Sequence, residues 1–117
     1  MLRLNWIKST TGTWLPLNFN LASVTTTKGV YVIWHGGQTP WTVRVGQGDI
    51  ASRLGSHGGD AVITAHASKG GLWVTWAAVQ AASLDGVERY LADQLRPLVG
   101  DRHPAVLPVP VNLPWAA

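Results

Sequence analysis

The sequence has no cysteine, little charge and no long apolar run, and each shortage excludes a class of protein. Without a cysteine among its 117 residues, the chain cannot form disulfides or thiolate metal sites. No segment is apolar for long enough to span a bilayer, and the first residues lack the pattern of a signal peptide. The length fits a single domain over residues 1–117 that can bury a core without cross-links. The sequence therefore predicts an intracellular, cytoplasmic protein with no membrane partner.

Charged residues are sparse, but the basic ones outnumber the acidic ones. Nine Lys and Arg against six Asp and Glu give a formal net charge of +3, a mild bias toward polyanionic partners. Aromatic residues are dominated by seven Trp, beside two Tyr and one Phe. Most of these Trp are expected to pack in the core. Trp34 and Trp41 are nearest to a predicted turn and are the candidates for base stacking.

Two runs of alternating apolar residues, 30–34 and 41–45, predict a β-hairpin. The Gly-rich residues 35–40 between them, which end in Pro, are typical of a turn. Pairing position 34 with 41, 32 with 43 and 30 with 45 places all six large apolar residues on one face. This register predicts that Tyr31 lies opposite Arg44 on the other face, which carries polar groups.

The remaining patterns predict two helices and a third strand. A helix of about three turns is expected to begin at Asp49, a good N-cap, and to end among Gly55–Gly59. The apolar run Leu72–Val79 predicts a buried strand. A final helix is expected to run from a Ser83 cap to a break near Pro97. Its apolar stripe consists of Val87, Leu91, Leu95 and Leu98.

These elements predict an α+β domain of order ββαβα with a three-stranded antiparallel sheet and flanking helices. The core spans about residues 29–100. Residues 1–28 form an N-terminal extension that packs on the sheet. The Pro-rich segment 101–117 is expected to lie extended along the surface, because its prolines exclude a helix or a central strand.

Several polar residues stand at positions suited to phosphate chemistry. Arg53 and His57 are four residues apart, so they share a face of the predicted helix. A guanidinium binds phosphate through two parallel hydrogen bonds, and an imidazole exchanges protons near neutral pH. Glu88 lies early in the final helix, and Mg²⁺ often binds through one or two carboxylates with water and phosphate.

In their order, these motifs resemble those of the GIY-YIG nuclease domain over roughly residues 29–100. Gly29–Tyr31 resembles the first triplet, and Arg44–Gly46 the second, in which Arg replaces the usual first Tyr. Arg53 follows the second triplet by seven residues, one fewer than in many members. The segment ERYLADQLRP, which begins at Glu88, resembles the family's E-x-x-L-I stretch and its following Pro.

The resemblance implies a metal-dependent endonuclease that hydrolyses DNA phosphodiester bonds, without a small-molecule cofactor. It assigns the activation or orientation of water to Tyr31, and the grip on the phosphate to Arg53. His57 would position the water or donate a proton. Glu88 would be the sole protein ligand of Mg²⁺ or Mn²⁺. For Arg44, two roles are open: lowering the pKa of Tyr31 or contacting a second phosphate.

Other residue assignments stay open. Asp85 and Asp93 are the alternative carboxylates for the metal. Where the family carries an Asn after the final-helix Pro this chain has Gly100, and Asn112 is the candidate replacement from the tail. Three further histidines have no partner visible in the sequence, namely His35, His66 and His103.

Two other function classes also remain open. The missing second-triplet Tyr motivates a catalytically weak DNA- or RNA-binding module of the same fold. The abundance of Trp motivates a protein-interaction domain. The sequence shows no separate DNA-recognition domain, so a nuclease of this kind is expected to have weak sequence specificity and to recognise strand shape or single strands. The oligomeric state stays open.

Overall fold

The computed structural model describes residues 2–25, 28–100 and 104–115, and they form an α+β fold around a four-stranded antiparallel sheet. The elements are β1 (Leu15–Pro16), β2 (Lys28–His35), β3 (Trp41–Asp49), α1 (Ile50–Gly58), α2 (Ala61–Thr64), β4 (Leu72–Ala78) and α3 (Leu84–Leu95). Short 3-10 turns lie at Leu21–Ser23, Ala65–Lys69 and Ala81–Ser83. None of the described helices is long and apolar enough to cross a membrane.

The strand order is β1-β4-β2-β3, so the predicted α+β class is confirmed and the predicted three-stranded sheet is wrong. The fourth strand comes from the N-terminal extension, where Leu15 and Pro16 pair with β4. Two residues are too few to produce a periodic pattern in the sequence. Their pairing places the extension on the sheet, as predicted.

The hairpin is confirmed, but its predicted register is wrong. Val32 pairs with Val45 and Tyr31 pairs with Gly46, and the register shifts between Ile33 and Trp34. The shift leaves Val43 as an extra residue, the signature of a β-bulge. Arg44 therefore lies opposite Ile33, diagonal to Tyr31 rather than directly across from it.

The register differs because both faces of the sheet are buried, so the apolar residues need not share one face. One core lies against α1 and α2 and contains Tyr31, Ile33, Val43, Ile50, Leu54 and Ile63. The second core lies against α3 and contains Val30, Val32, Trp34, Val45, Val87 and Leu91. The face that carries Tyr31 is thus a hydrophobic core and not the polar face that the sequence predicted.

Both main helices begin where the sequence predicts. The Asp49 side chain accepts a hydrogen bond from the Ser52 amide at 3.0 Å and caps α1. Ser83 precedes α3 but makes no side-chain capping bond. The predicted stripe of α3 is wrong at Leu98, which follows the end of the helix and is 49% exposed.

The segment after α3 covers the outer edge of β3. The amides of Leu98 and Val99 donate to the carbonyls of Thr42 and Val43, at 3.0 and 2.8 Å. Arg96 turns the chain out of α3 in the left-handed conformation, with φ of 48°. Since β3 is the last strand of the sheet, this pairing satisfies part of an edge that would otherwise face solvent.

Most of the Pro-rich tail lies on the surface as predicted, where residues 105–108 are exposed, but Val111 departs from that placement. Val111 is 1% exposed in the core beneath α3, and it forms a parallel bridge with Leu2. The Asn112 side chain accepts from the Leu4 amide at 2.6 Å and donates to the Leu4 carbonyl at 2.9 Å. The tail therefore completes a core and joins the two ends of the described chain.

Candidate active site

Tyr31 of β2 and His57 of α1 meet in a buried contact. The Tyr31 hydroxyl oxygen lies 2.5 Å from Nε2 of His57, and the ring centroids are 5.2 Å apart. Only 2% of Tyr31 and 9% of His57 are exposed. His57 reaches this depth because it follows Ile50 and Leu54 on the buried face of α1. The sequence had placed His57 beside Arg53, and the structure adds Tyr31 as its direct partner.

Two glycines of β3 make room for the candidate side chains. Tyr31 leans across its partner Gly46, where a Cβ atom would lie 2.1 Å from the phenol oxygen. Two residues later, a Cβ on Gly48 would lie 3.0 Å from Nε of Arg53. Residues 46 and 48 lie on the same face of the strand, so both candidate side chains occupy space that a larger residue would fill.

Arg44 approaches the same phenol from within β3. It lies on the same face as Gly46, and its guanidinium acts on Tyr31 both by charge and at hydrogen-bonding range. Its Nε is buried and has no hydrogen-bond partner among the described residues. A Cβ on Gly100 would lie 2.8 Å from Nη1 of Arg44, so the loop after α3 encloses the guanidinium. Tyr31 and Arg44 are thus neighbours, although the predicted register that joined them is wrong.

The pKa of Tyr31 is raised above its ordinary value of 10.0, chiefly because the phenol is buried. The positive charges of Arg44 and Arg53 oppose this rise, and the negative charge of Glu88 adds to it. Arg44 therefore acts in the predicted direction, but desolvation outweighs it. Tyr31 is protonated at neutral pH.

The pKa of His57 is lowered below its ordinary value of 6.5, again chiefly by burial. The charges of Arg44 and Arg53 lower it further, while Asp60 opposes them. His57 is therefore neutral at pH 7 and has one unprotonated ring nitrogen, which can accept a proton.

Glu88 reaches the site from α3, on the other side of β3. It is 9% exposed, and its Oε2 accepts a hydrogen bond from Nε2 of Gln47 at 3.3 Å. The same amide donates to Oδ1 of Asp85 at 2.6 Å. Asp85 and Glu88 are three residues apart on one helical face, so Gln47 holds two carboxylates together. The negative charge of Glu88 also acts on Tyr31, whose pKa it raises.

Asp85 and Glu88 offer a metal ion two carboxylates, and any ion held there would need further oxygen ligands. Among the residues that the structure describes, no three His, Asp or Glu side chains are grouped to hold a metal. Mg²⁺ accepts one or two carboxylates when water and substrate phosphates supply the other oxygens. Glu88 and Asp85 fit that donor set.

The other sequence candidates lie elsewhere. Asn112 is engaged with the Leu4 backbone, and its side chain is not among the partners of Tyr31, His57 or Glu88 that the structure describes. Asp93 forms an exposed ion pair with Arg89 at 3.1 Å.

The remaining histidines were treated in the sequence as having no visible partner. His35 and His66 stack with centroids 6.3 Å apart, and Nδ1 of His35 lies 3.0 Å from the Gly36 carbonyl. His103 lies outside the described residues.

Sequence reasoning missed Gln47 and the glycines of β3. Period-two alternation places Gln47 on the same side of the strand as Val45, which faces α3. Gly46, Gln47 and Gly48 all belong to β3 and precede the helix. The signal was a pair of glycines two apart inside a strand, which indicates close approach by other groups.

In comparisons with known proteins, no family model, no curated protein and no solved structure matches this chain.

Proposed function

We propose that this chain is a small GIY-YIG-like endonuclease that hydrolyses DNA phosphodiester bonds with the help of a divalent metal. The observation that carries the proposal is the convergence of side chains from four elements on one end of β3. Tyr31, His57, Arg44 and Arg53 gather on the side of α1, and Glu88 reaches the same edge from α3. Their order along the chain also resembles that family, which supports the same function.

Tyr31 and His57 form the proton-transfer pair in this proposal. In the Nδ1–H tautomer of His57, the Tyr31 hydroxyl donates to Nε2 across 2.5 Å. As water attacks the phosphorus, it gives a proton to the Tyr31 oxygen while Tyr31 passes its own proton to His57. The bond from phosphorus to the leaving oxygen breaks, and that oxygen takes a proton from solvent.

The charges of Arg44 and Arg53 make proton transfer to His57 depend on a bound anionic substrate. Without substrate, their charges disfavour a proton on His57. A phosphodiester anion bound at the two guanidinium groups offsets those charges and makes the imidazolium less costly. The pair therefore becomes a better proton acceptor when substrate is present.

Glu88, with Asp85 beside it, would hold Mg²⁺ or Mn²⁺. When bound, such an ion would stabilise the charge that develops on the phosphoryl and leaving oxygens. Gln47 binds both carboxylates and keeps them on one side of β3. Its amide also offers an oxygen of the kind that Mg²⁺ accepts.

A second candidate is a nucleic-acid-binding module of the same fold without catalysis. The burial of Tyr31 favours it, because only 2% of that residue is exposed and substrate must reach the hydroxyl. In this alternative the Tyr31–His57 contact only stabilises the fold.

A cleavage assay separates the two candidates. We expect labelled single- and double-stranded DNA to be cut with Mg²⁺ or Mn²⁺ and to stay intact in EDTA. Tyr31→Phe should reduce the rate by about 10²- to 10⁴-fold, the usual contribution of a positioned acid or base. Tyr90→Phe is the matched control, because Tyr90 is half-buried on α3 and outside this group. Equal rates in both variants would contradict the proposed role, and intact DNA with every metal would favour the binding module.

A further inference from the structure

A cavity apart from the proposed active site is lined largely by tryptophan. Its volume is about 750 Å³, within the range of small-ligand pockets. Its aromatic lining consists of Trp14, Trp34, Trp41 and Trp115, and Gln94 and Arg96 add polar groups. Four of the seven Trp therefore border this surface pocket.

The walls of this tryptophan pocket are held in place before any ligand binds. Trp34 is 8% exposed at the base, and its ring packs edge-on against Trp14 and Trp115, with centroids 5.2 and 5.0 Å apart. Trp41 is 46% exposed, yet its indole N–H donates to the Arg96 carbonyl at 2.8 Å. An exposed indole fixed in this way is a preformed stacking surface that loses little freedom on binding.

The charges around the pocket favour an anionic ligand. None of the described residues that line it carries a carboxylate, whereas Arg96 contributes a cation. Lys8 adds a second cation, with its Nζ 4.4 Å from the ring centroid of Trp14. Aromatic faces beside cations suit a nucleobase attached to phosphate. The side-chain amide of Gln94 can both donate to and accept from a base edge.

The edge strand β3 joins the pocket to the proposed active site. Trp41 begins the strand and Gly46, under the Tyr31 hydroxyl, lies five residues later. At about 3.3 Å per residue this is a separation of roughly 17 Å along the strand.

The pocket opens on the face of α3, whereas Tyr31 lies on the face of α1. A ligand that reaches both must bend around the strand. A duplex, with a persistence length of about 150 base pairs, resists that bend, and its paired bases cannot enter a pocket.

We propose that the tryptophan pocket binds an unpaired base of a single-stranded nucleic acid, stacked on Trp41 with its phosphate near Arg96. The inference deepens the proposed nuclease function and rests on it, since it names a single strand as the substrate class.

Binding measured without metal tests the pocket independently of cleavage. In EDTA, fluorescence anisotropy would compare three labelled strands: an oligothymidylate, an abasic strand of equal length and a duplex. The wild-type chain should bind the oligothymidylate most tightly. Trp41→Ala should weaken that binding roughly 5- to 150-fold, as expected for one lost base stack, and leave the abasic strand unaffected. Leu107→Ala is the matched control, because Leu107 is 86% exposed and outside the pocket.

Arg96→Asn tests the phosphate contact, since Asn tolerates the left-handed backbone at this position. It should reduce the slope of log affinity against log salt by about 0.7. Equal binding of abasic and thymidylate strands, or unchanged affinity in Trp41→Ala, would overturn the proposal that the tryptophan pocket binds a base, even if cleavage is observed. Binding of a labelled oligoproline peptide that oligothymidylate cannot displace would overturn it in favour of a protein ligand. Conversely, base-dependent binding without cleavage would support base binding in the tryptophan pocket and refute the proposed nuclease activity.

Discussion

Gly46→Ala should destabilise this protein, because the space that a Cβ would occupy is filled by the Tyr31 side chain. The new Cβ would lie 2.1 Å from the Tyr31 hydroxyl oxygen and 2.3 Å from Cζ. Real Cβ contacts are essentially never under 3.0 Å, so the ring or the strand must move by about 1 Å. A flexible side chain would yield easily, but Tyr31 is 2% exposed and its ring is enclosed in the core.

The expected cost follows from three contributions. Overpacking in a core costs about 1–3 kcal/mol of unfolding free energy. Displacing the hydroxyl from His57 removes a buried hydrogen bond worth about 0.5–1.5 kcal/mol. Replacing Gly by Ala also lowers the conformational entropy of the unfolded chain. This stabilises the folded state by about 0.4–1 kcal/mol and offsets part of the cost. The net loss should be about 0.5–4 kcal/mol. Because the hydroxyl moves, any nuclease activity should fall with it.

Urea unfolding of four variants would measure this cost and locate its cause. Gly58→Ala is the matched control: Gly58 is helical, no heavy atom lies within 4 Å of its Cβ position, and a small gain in stability is expected. In a Tyr31→Ala background the ring is gone, so adding Gly46→Ala should cost nothing further. If the changes in unfolding free energy for Tyr31→Ala and Gly46→Ala simply add, the close packing of Tyr31 on Gly46 is not the cause of the destabilisation.

Further outcomes are expected from the charged residues of the site. Glu88→Gln keeps the side-chain volume, so it should preserve the fold and DNA binding while abolishing metal-dependent cleavage; wild-type turnover would reject the metal assignment. Arg53→Ala should change the unfolding free energy by no more than about 0.5 kcal/mol, because Arg53 is exposed, but should reduce turnover by about 10²-fold or more. A fall in melting temperature with normal specific activity would make Arg53 structural. Arg44→Ala removes a charge that opposes the raised pKa of Tyr31, so the pH–rate profile should move to higher pH. If Arg44 instead grips phosphate, weaker DNA binding with a shallower salt dependence is expected, and no change in either measurement would exclude both roles. The pKa of His57 is lowered by folding, so the unfolded chain binds more protons below about pH 6.5 and the unfolding free energy should fall as the pH decreases through that value. His57→Gln should flatten this dependence in denaturation series between pH 5 and 7, and an unchanged slope would contradict the burial of the imidazole.

Local signals made much of the fold and site predictable. Asp49 caps α1, the hairpin forms, and α3 stops before Pro97 because these features depend on residues close in sequence. Tyr31 and Arg44 are neighbours as predicted, although the predicted register is wrong. Diagonal neighbours on one face of a sheet are still within reach of a long side chain.

The rest depends on contacts between distant segments. Val43 could be assigned to its face only by knowing that helices cover both sides of the sheet. Nothing local indicates that Pro16 pairs with β4 or that Val111 is buried. For the same reason the sequence placed Tyr31 on a polar face, whereas burial now dominates its pKa. Asn112 has the residue type expected at the site, but its side chain binds Leu4, 108 residues earlier in the chain. No local pattern in the sequence predicts that contact.

The contact between Asn112 and Leu4 has a consequence for how the protein is made. The two residues are separated by 108 positions, and closing a loop of that length costs about 4 kcal/mol of chain entropy. During synthesis, the hairpin and α1 can form while the tail is still inside the ribosome, because their contacts are local. The core beneath α3 cannot close until Val111 has emerged. A ribosome stalled before that residue should therefore hold a nascent chain in which the Tyr31 side is packed and the α3 side still exposes apolar surface.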